Sequence, residues 1–210
     1  MRNPKGLCVA IVAAAAIAAF GGAGTASAAR TCATGSPEEA VCGAGAGKKP
    51  YSGRVLMRRV GWLLTTNLAN VTCGASEMEL EYGASEGSPI TGAVNALSAS
   101  ECVTTGLVPT SCTTTVKHLP YATALESSGE GKSVLTVSDE AGVGFKVVCG
   151  TVLSCEFLTT SGQLSGVNGS PTQFSASEMP LSHETGAICP STAKWDPVYE
   201  VVFPAGFTVL

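Results

Sequence analysis

The chain has 210 residues, with 12 basic and 16 acidic side chains, a formal net charge of −4 and only 13% charged residues. That balance offers no general attraction for nucleic acid. So few charges beside 25 glycines also argue against a helical intracellular enzyme and point to an extracellular β protein.

The first 28 residues read as a secretory leader. Arg2 and Lys5 give a positive start, 7–20 is an apolar run, and Ala26-Ser27-Ala28 is an A-x-A site with cleavage expected after Ala28. The apolar run is too short to span a bilayer, and no stop-transfer segment follows, so no transmembrane segment is expected after cleavage. A lipid anchor does not fit either, because Lys5-Gly6-Leu7 precede Cys8 and Arg30-Thr31 precede Cys32. Loss of Arg2 and Lys5 leaves 10 of the 12 basic residues with all 16 acids, a net charge of about −6. The expected location is secreted.

Loss of Cys8 leaves Cys32, Cys42, Cys73, Cys102, Cys112, Cys149, Cys155 and Cys189. An even set in an exported chain predicts a disulfide framework. Short spacing suggests Cys32–Cys42, Cys102–Cys112 and Cys149–Cys155, and elimination leaves Cys73–Cys189. Residues 29–53 are expected to be a loop-rich, disulfide-stapled lead-in containing the glycine run 43–47.

From Arg54 the pattern becomes β. Segments 54–60 and 62–66 are rich in branched and aromatic side chains. In 77–82, Glu77, Glu79 and Glu81 alternate with Met78, Leu80 and Tyr82, a half-buried strand. Segments 89–97, 113–118 and 121–125 continue the series, with Leu119-Pro120 expected to bend the chain. Segment 133–138 leads through a turn at 139–142 into a hairpin over 143–158. Segments 173–179 and 198–203 close the set. Turn signals roughly every 8–12 residues predict a single all-β domain over 54–210, a β-sandwich of immunoglobulin-like or similar type.

Chemical motifs are few. Gly83-Ala84-Ser85-Glu86-Gly87 matches the G-x-S-x-G nucleophile elbow, and Asp139 and His183 follow in the order of that hydrolase class. The chemistry needs a helix directly after the serine, whereas Ser88-Pro89 breaks one, so the bland reading is a turn. Residues 43–49 resemble a phosphate loop but lack its first glycine and its Ser/Thr. No C-x-x-C occurs, and with His118 and His183 as the two histidines no metal or other cofactor is expected. Glu77, Glu79 and Glu81 could offer Ca²⁺ oxygen ligands, although a solvated sheet face explains them more simply.

Lys48, Lys49, Arg54, Arg58 and Arg59 hold five of the ten basic residues beyond the leader. They could bind an anionic cell-envelope polymer or another extracellular protein, or pair across strands with the glutamate ladder. The pairing role is preferred. Asn70-Val71-Thr72 and Asn168-Gly169-Ser170 fit the N-glycosylation pattern, which matters only in a eukaryotic host. Trp195 and Tyr199 are expected to fill the core.

Trp62 onward carries 65–73 (TTNLANVTC), Leu119-Pro120-Tyr121, the pair Val148-Cys149 and Cys155, and 189–199 (CPSTAKWDPVY). By these stretches the chain resembles a group of secreted, cysteine-containing β proteins from high-GC Gram-positive bacteria. The resemblance implies export and a β fold, and it implies no activity. The expectation is therefore a non-catalytic extracellular binding or structural protein. A serine hydrolase using Ser85, or a secreted inhibitor or small-ligand carrier, are the alternatives.

Overall fold

Met78, Leu80 and Tyr82 are buried while Glu77 and Glu81 are exposed, and this alternation repeats along the chain because successive strand residues face opposite sides. The computed structural model describes residues 28–34, 42, 48–106, 111–151, 153–186 and 188–210; among them there is no helix. The strands are β1 (Ala29–Thr34), β2 (Lys48–Pro50), β3 (Gly53–Thr65), β4 (Ala69–Tyr82), β5 (Glu86–Gly87), β6 (Ile90–Gly106) and β7 (Ser111–Val116). They continue with β8 (Tyr121–Gly129), β9 (Lys132–Cys149), β10 (Leu153–Val167), β11 (Gln173–Ser175), β12 (Met179–Thr185), β13 (Thr192–Phe203) and β14 (Thr208–Val209).

The expected sandwich is not what forms. Antiparallel pairing runs β3–β4–β6, then through β7 and β8 to β9, on to β10, through β11 and β12 to β13, and from β13 back to β3. The circuit is closed. Because β7 and β8 share one place, as do β11 and β12, ten strands fill eight positions, which makes an up-and-down barrel. Sandwich and barrel both present one buried face per strand, so alternation alone does not separate them. The decision falls to β13, which pairs with β3 from Lys194↔Thr65 to Phe203↔Leu56 and with β12 on its other side. Closure removes the exposed edges that an open sheet would leave for aggregation.

Strands of up to 18 residues curve through bulges, which concentrate bend and twist. The turn expected at 139–142 is one of these. Thr159 faces Val143 and Ser161 faces Ser138, so four residues of β9 oppose one of β10 and the strand continues. Ala141 N–H donates to Asp139 Oδ1 at 2.8 Å, and Gly142, at φ 106°, takes a backbone conformation open mainly to glycine. Leu119-Pro120 separates β7 from β8, as anticipated.

An eight-position barrel is just wide enough for side chains to fill. Trp62 on β3, Phe145 on β9 and Trp195 on β13 meet across it: ring centroids are 5.4 Å apart for Trp62–Phe145, 4.8 Å for Phe145–Trp195 and 6.3 Å for Trp62–Trp195. A void of about 10 Å³ remains in the interior beside Met78 and Trp195, and another of about 20 Å³ lies at the end of the barrel under the β3–β4 turn, room for about a water each.

A small sheet closes one end. β1 pairs with β14, β2 and β5, burying Ala29, Cys32, Phe207 and Val209. Asn168 locks this cap: its Nδ2 donates to Val209 O (2.6 Å) and its Oδ1 accepts from Val209 N–H (2.9 Å). That sequon asparagine is thereby committed to the backbone. Two strands thus lie within the lead-in read as loop. Residues 1–27, which hold most of the expected leader, and the segments 35–41 and 43–47, with their glycine run, lie outside the described residues, as do the side chains of Lys48 and Lys49.

The eight cysteines from Cys32 to Cys189 all form disulfides, and Cys32–Cys42 is one of them. The other three expected pairings are wrong: the bonds are Cys73–Cys102, Cys112–Cys149 and Cys155–Cys189. Strand register explains the error. In the β9–β10 hairpin Cys149 faces Leu153 and Cys155 faces Val147, so the two cysteines are diagonal neighbours. Such positions sit about 7–8 Å apart, beyond ordinary disulfide reach. Cys73 faces Cys102 and Cys112 faces Cys149 directly, with Cα atoms 3.8 and 4.1 Å apart.

Candidate functional site

The basic segment is spread over two surfaces. Arg54 and Arg58 point outward from β3, and β4 supplies their partners: Arg54 Nη2 lies 2.7 Å from Glu79 Oε2, and Arg58 Nε lies 2.8 Å from Glu77 Oε1. Glu81 Oε2 accepts from Asn95 Nδ2 at 3.0 Å. Each carboxylate of the ladder therefore has its own neighbour, and the three do not converge on a common point. Among the described residues no group of three or more His, Cys, Asp or Glu side chains could hold a metal ion. Arg59 departs from this face. A β3 bulge sets it opposite Tyr199, with Nε buried and without a protein hydrogen-bond partner.

Ser85 stands in the turn between β4 and β5, where its carbonyl accepts the Thr31 N–H at 2.9 Å. A strand follows it, so no helix N-terminus is present to stabilise an oxyanion. His183 lies on β12 near the opposite end of the barrel, its ring centroid 6.1 Å from that of Phe157 and its backbone N–H donating to Ser191 O at 3.0 Å. Asp139 sits in the β9 bulge, and His118 Nδ1 is 3.1 Å from Gly142 O. The structure does not bring these four residues together.

Two of the buried tyrosines are hydrogen-bonded within the barrel, whereas the indole nitrogens of Trp62 and Trp195 have no protein partner. Tyr199 Oη is 2.8 Å from Ser76 Oγ, which donates to Ser98 O at 2.5 Å. Tyr121 Oη donates to Lys117 O and accepts the Gly144 N–H at 3.3 Å. Burial pushes the phenol pKa of Tyr82, Tyr121 and Tyr199 above its ordinary value, since a phenolate there would lose its hydration. These are neutral groups, poorly suited to act as nucleophiles near pH 7.

The feature that the sequence did not suggest is a slot in the wall. β10 pairs with β12 over 156–158 and with β11 over 165–167, which leaves 159–164 without strand partners on that side. The gap, about 360 Å³, is lined by Ser161, Gly162 and Gln163 on one side and by 176–180 on the other. Met179 closes its floor. A Cβ on Gly162 would lie 2.5 Å from the Met179 sulfur, so glycine is what admits the thioether. At the rim Lys194 Nζ reaches Glu178 Oε1 at 2.8 Å, and Asp196 Oδ1 accepts the Glu178 N–H at 2.6 Å. Unpaired strand backbone beside an ion pair can hydrogen-bond an extended peptide or a hydroxyl-rich ligand. Pro180 was the sole local hint, because proline in a strand marks an edge.

The chain matches no protein-family profile, no curated protein and no solved structure.

Proposed function

We propose that this is an exported, non-catalytic extracellular protein that works as a rigid barrel, with recognition on its outer wall. The observation that carries the reading is a filled barrel held by four disulfides, bonds that persist in oxidising compartments. β1 begins at Ala29, directly beyond the expected cleavage site, so removal of the leader would leave the cap intact. Among the described residues no helix is long and apolar enough to cross a membrane.

The alternatives draw less support. The interior void beside Trp195 is water-sized, so a carrier would have no cargo site in the barrel core, and Ser85 is far along the barrel from His183. Attachment to an anionic envelope polymer would have to rest chiefly on Lys48, Lys49 and Arg59, because Arg54 and Arg58 already face carboxylates. Membership in the secreted group resembled by 189–199 belongs to the same proposal. Cell fractionation with N-terminal sequencing tests it: the protein is expected outside the cytoplasm, beginning at Ala29 and free of thiols. A reduced chain retained in the cytoplasm with its leader would overturn it. In an esterase screen, wild type and Ser85→Ala should share the same background.

A further inference from the structure

Four cysteines lie in a single rung around the barrel wall. Cys73 on β4 faces Cys102 on β6, Cys102 also faces Cys112 on β7, and Cys112 faces Cys149 on β9. All four side chains point inward and are buried, none more than 8% exposed. Directly opposed antiparallel residues hold their Cβ atoms about 4.5–5.5 Å apart, close to the spacing a disulfide needs. Cys102 and Cys112 therefore each have two register partners, and the observed bonds use one of the two.

We infer that Cys73, Cys102, Cys112 and Cys149 form a thiol-exchange row, in which a thiol freed at one end migrates to the other without any strand sliding. The step is internal. With Cys73 absent, the Cys102 thiolate attacks Cys112 Sγ; the Cys102–Cys112 bond forms, the Cys112–Cys149 bond breaks, and Cys149 leaves as a thiolate that takes up the proton Cys102 gave up. Nothing is oxidised or reduced overall. The same row gives oxidative folding a route. Cys102 and Cys112 span the shorter loop, ten residues against 29 and 37 for the observed bonds, so their closure costs the least chain entropy. Attack by Cys149 on Cys112 then yields the observed Cys112–Cys149 bond and releases Cys102 for oxidation with Cys73 by an external disulfide donor.

The test uses the oxidatively folded full chain carrying Cys73→Ser, Cys149→Ser or both, incubated at mildly alkaline pH, acid-quenched, alkylated and mapped by peptide mass spectrometry. In Cys73→Ser the label is expected on both Cys102 and Cys149, and in Cys149→Ser on both Cys112 and Cys73. The migrated share should exceed about one tenth, the share left by a difference of about 1.4 kcal/mol between the two pairings. The double variant should contain a Cys102–Cys112 bond and no free thiol in the row, which keeps the test decisive if a single variant misfolds. Label confined to Cys102 in the first variant and to Cys112 in the second overturns the inference. Two free thiols in the double variant overturn it equally.

Discussion

Trp195 is 2% exposed and packs on both Trp62 and Phe145, so its loss empties the centre of the barrel. Trp195→Ala is expected to cost about 3–5 kcal/mol by urea titration, the usual range for a buried aromatic. The exposed Arg58–Glu77 pair is a different case. Solvent screens it, and Arg58→Ala should change stability by less than about 1 kcal/mol in the same titration. Tyr199 adds a pH dependence. Its folded pKa is raised above the ordinary 10.0, so between the two values the unfolded chain has released a proton that the folded chain still holds. Stability is thus fully present below about pH 10 and falls as pH rises further, by up to about 1.4 kcal/mol per pH unit for each such tyrosine. Tyr199→Phe should flatten the slope by about one proton in unfolding titrations between pH 9 and 11. An unchanged slope would mean that this phenol titrates as freely in the folded protein as in the unfolded one.

At the scale of elements, β9 and β10 pair along most of their length on both sides of a bulge, and Gly144 lies within this seam opposite Leu158. A Cβ there would run into the Phe157 carbonyl; Gly144→Ala should therefore cost about 1–3 kcal/mol in a denaturant midpoint, as overpacking does. The hairpin itself was legible in advance, because Val143, Phe145 and Val147 alternate with their neighbours and a turn-rich segment follows. The glutamate-bearing β4 strand was equally clear. Disulfide partners were not, except for Cys32–Cys42. Spacing along the chain favours nearby cysteines, whereas the bond that forms depends on which cysteine register places opposite, and register is set across strands. Cys155–Cys189 encloses a 34-residue separation, so replacing both by serine should lower stability by about 3–4 kcal/mol in the chain-entropy picture.

For the whole molecule, the all-β class could be read from alternation and turn spacing, whereas export is an expectation that the first 28 residues raise. Closure could not be read. It rests on β13 reaching β3 across more than a hundred residues of chain, and no local pattern encodes such a pairing. The wall slot was hidden for the same reason: residues 159–164 look like any other strand until β11 and β12 leave them unpaired. We propose that the chain is an exported barrel, closed by strand pairing and locked by the eight cysteines from Cys32 to Cys189. Non-reducing peptide mapping of the protein recovered from outside the cytoplasm tests it most directly. The expected links are Cys32–Cys42, Cys73–Cys102, Cys112–Cys149 and Cys155–Cys189, with no free thiol. A Cys149–Cys155 link joined to Cys73–Cys189, or free thiols at these positions, would contradict it.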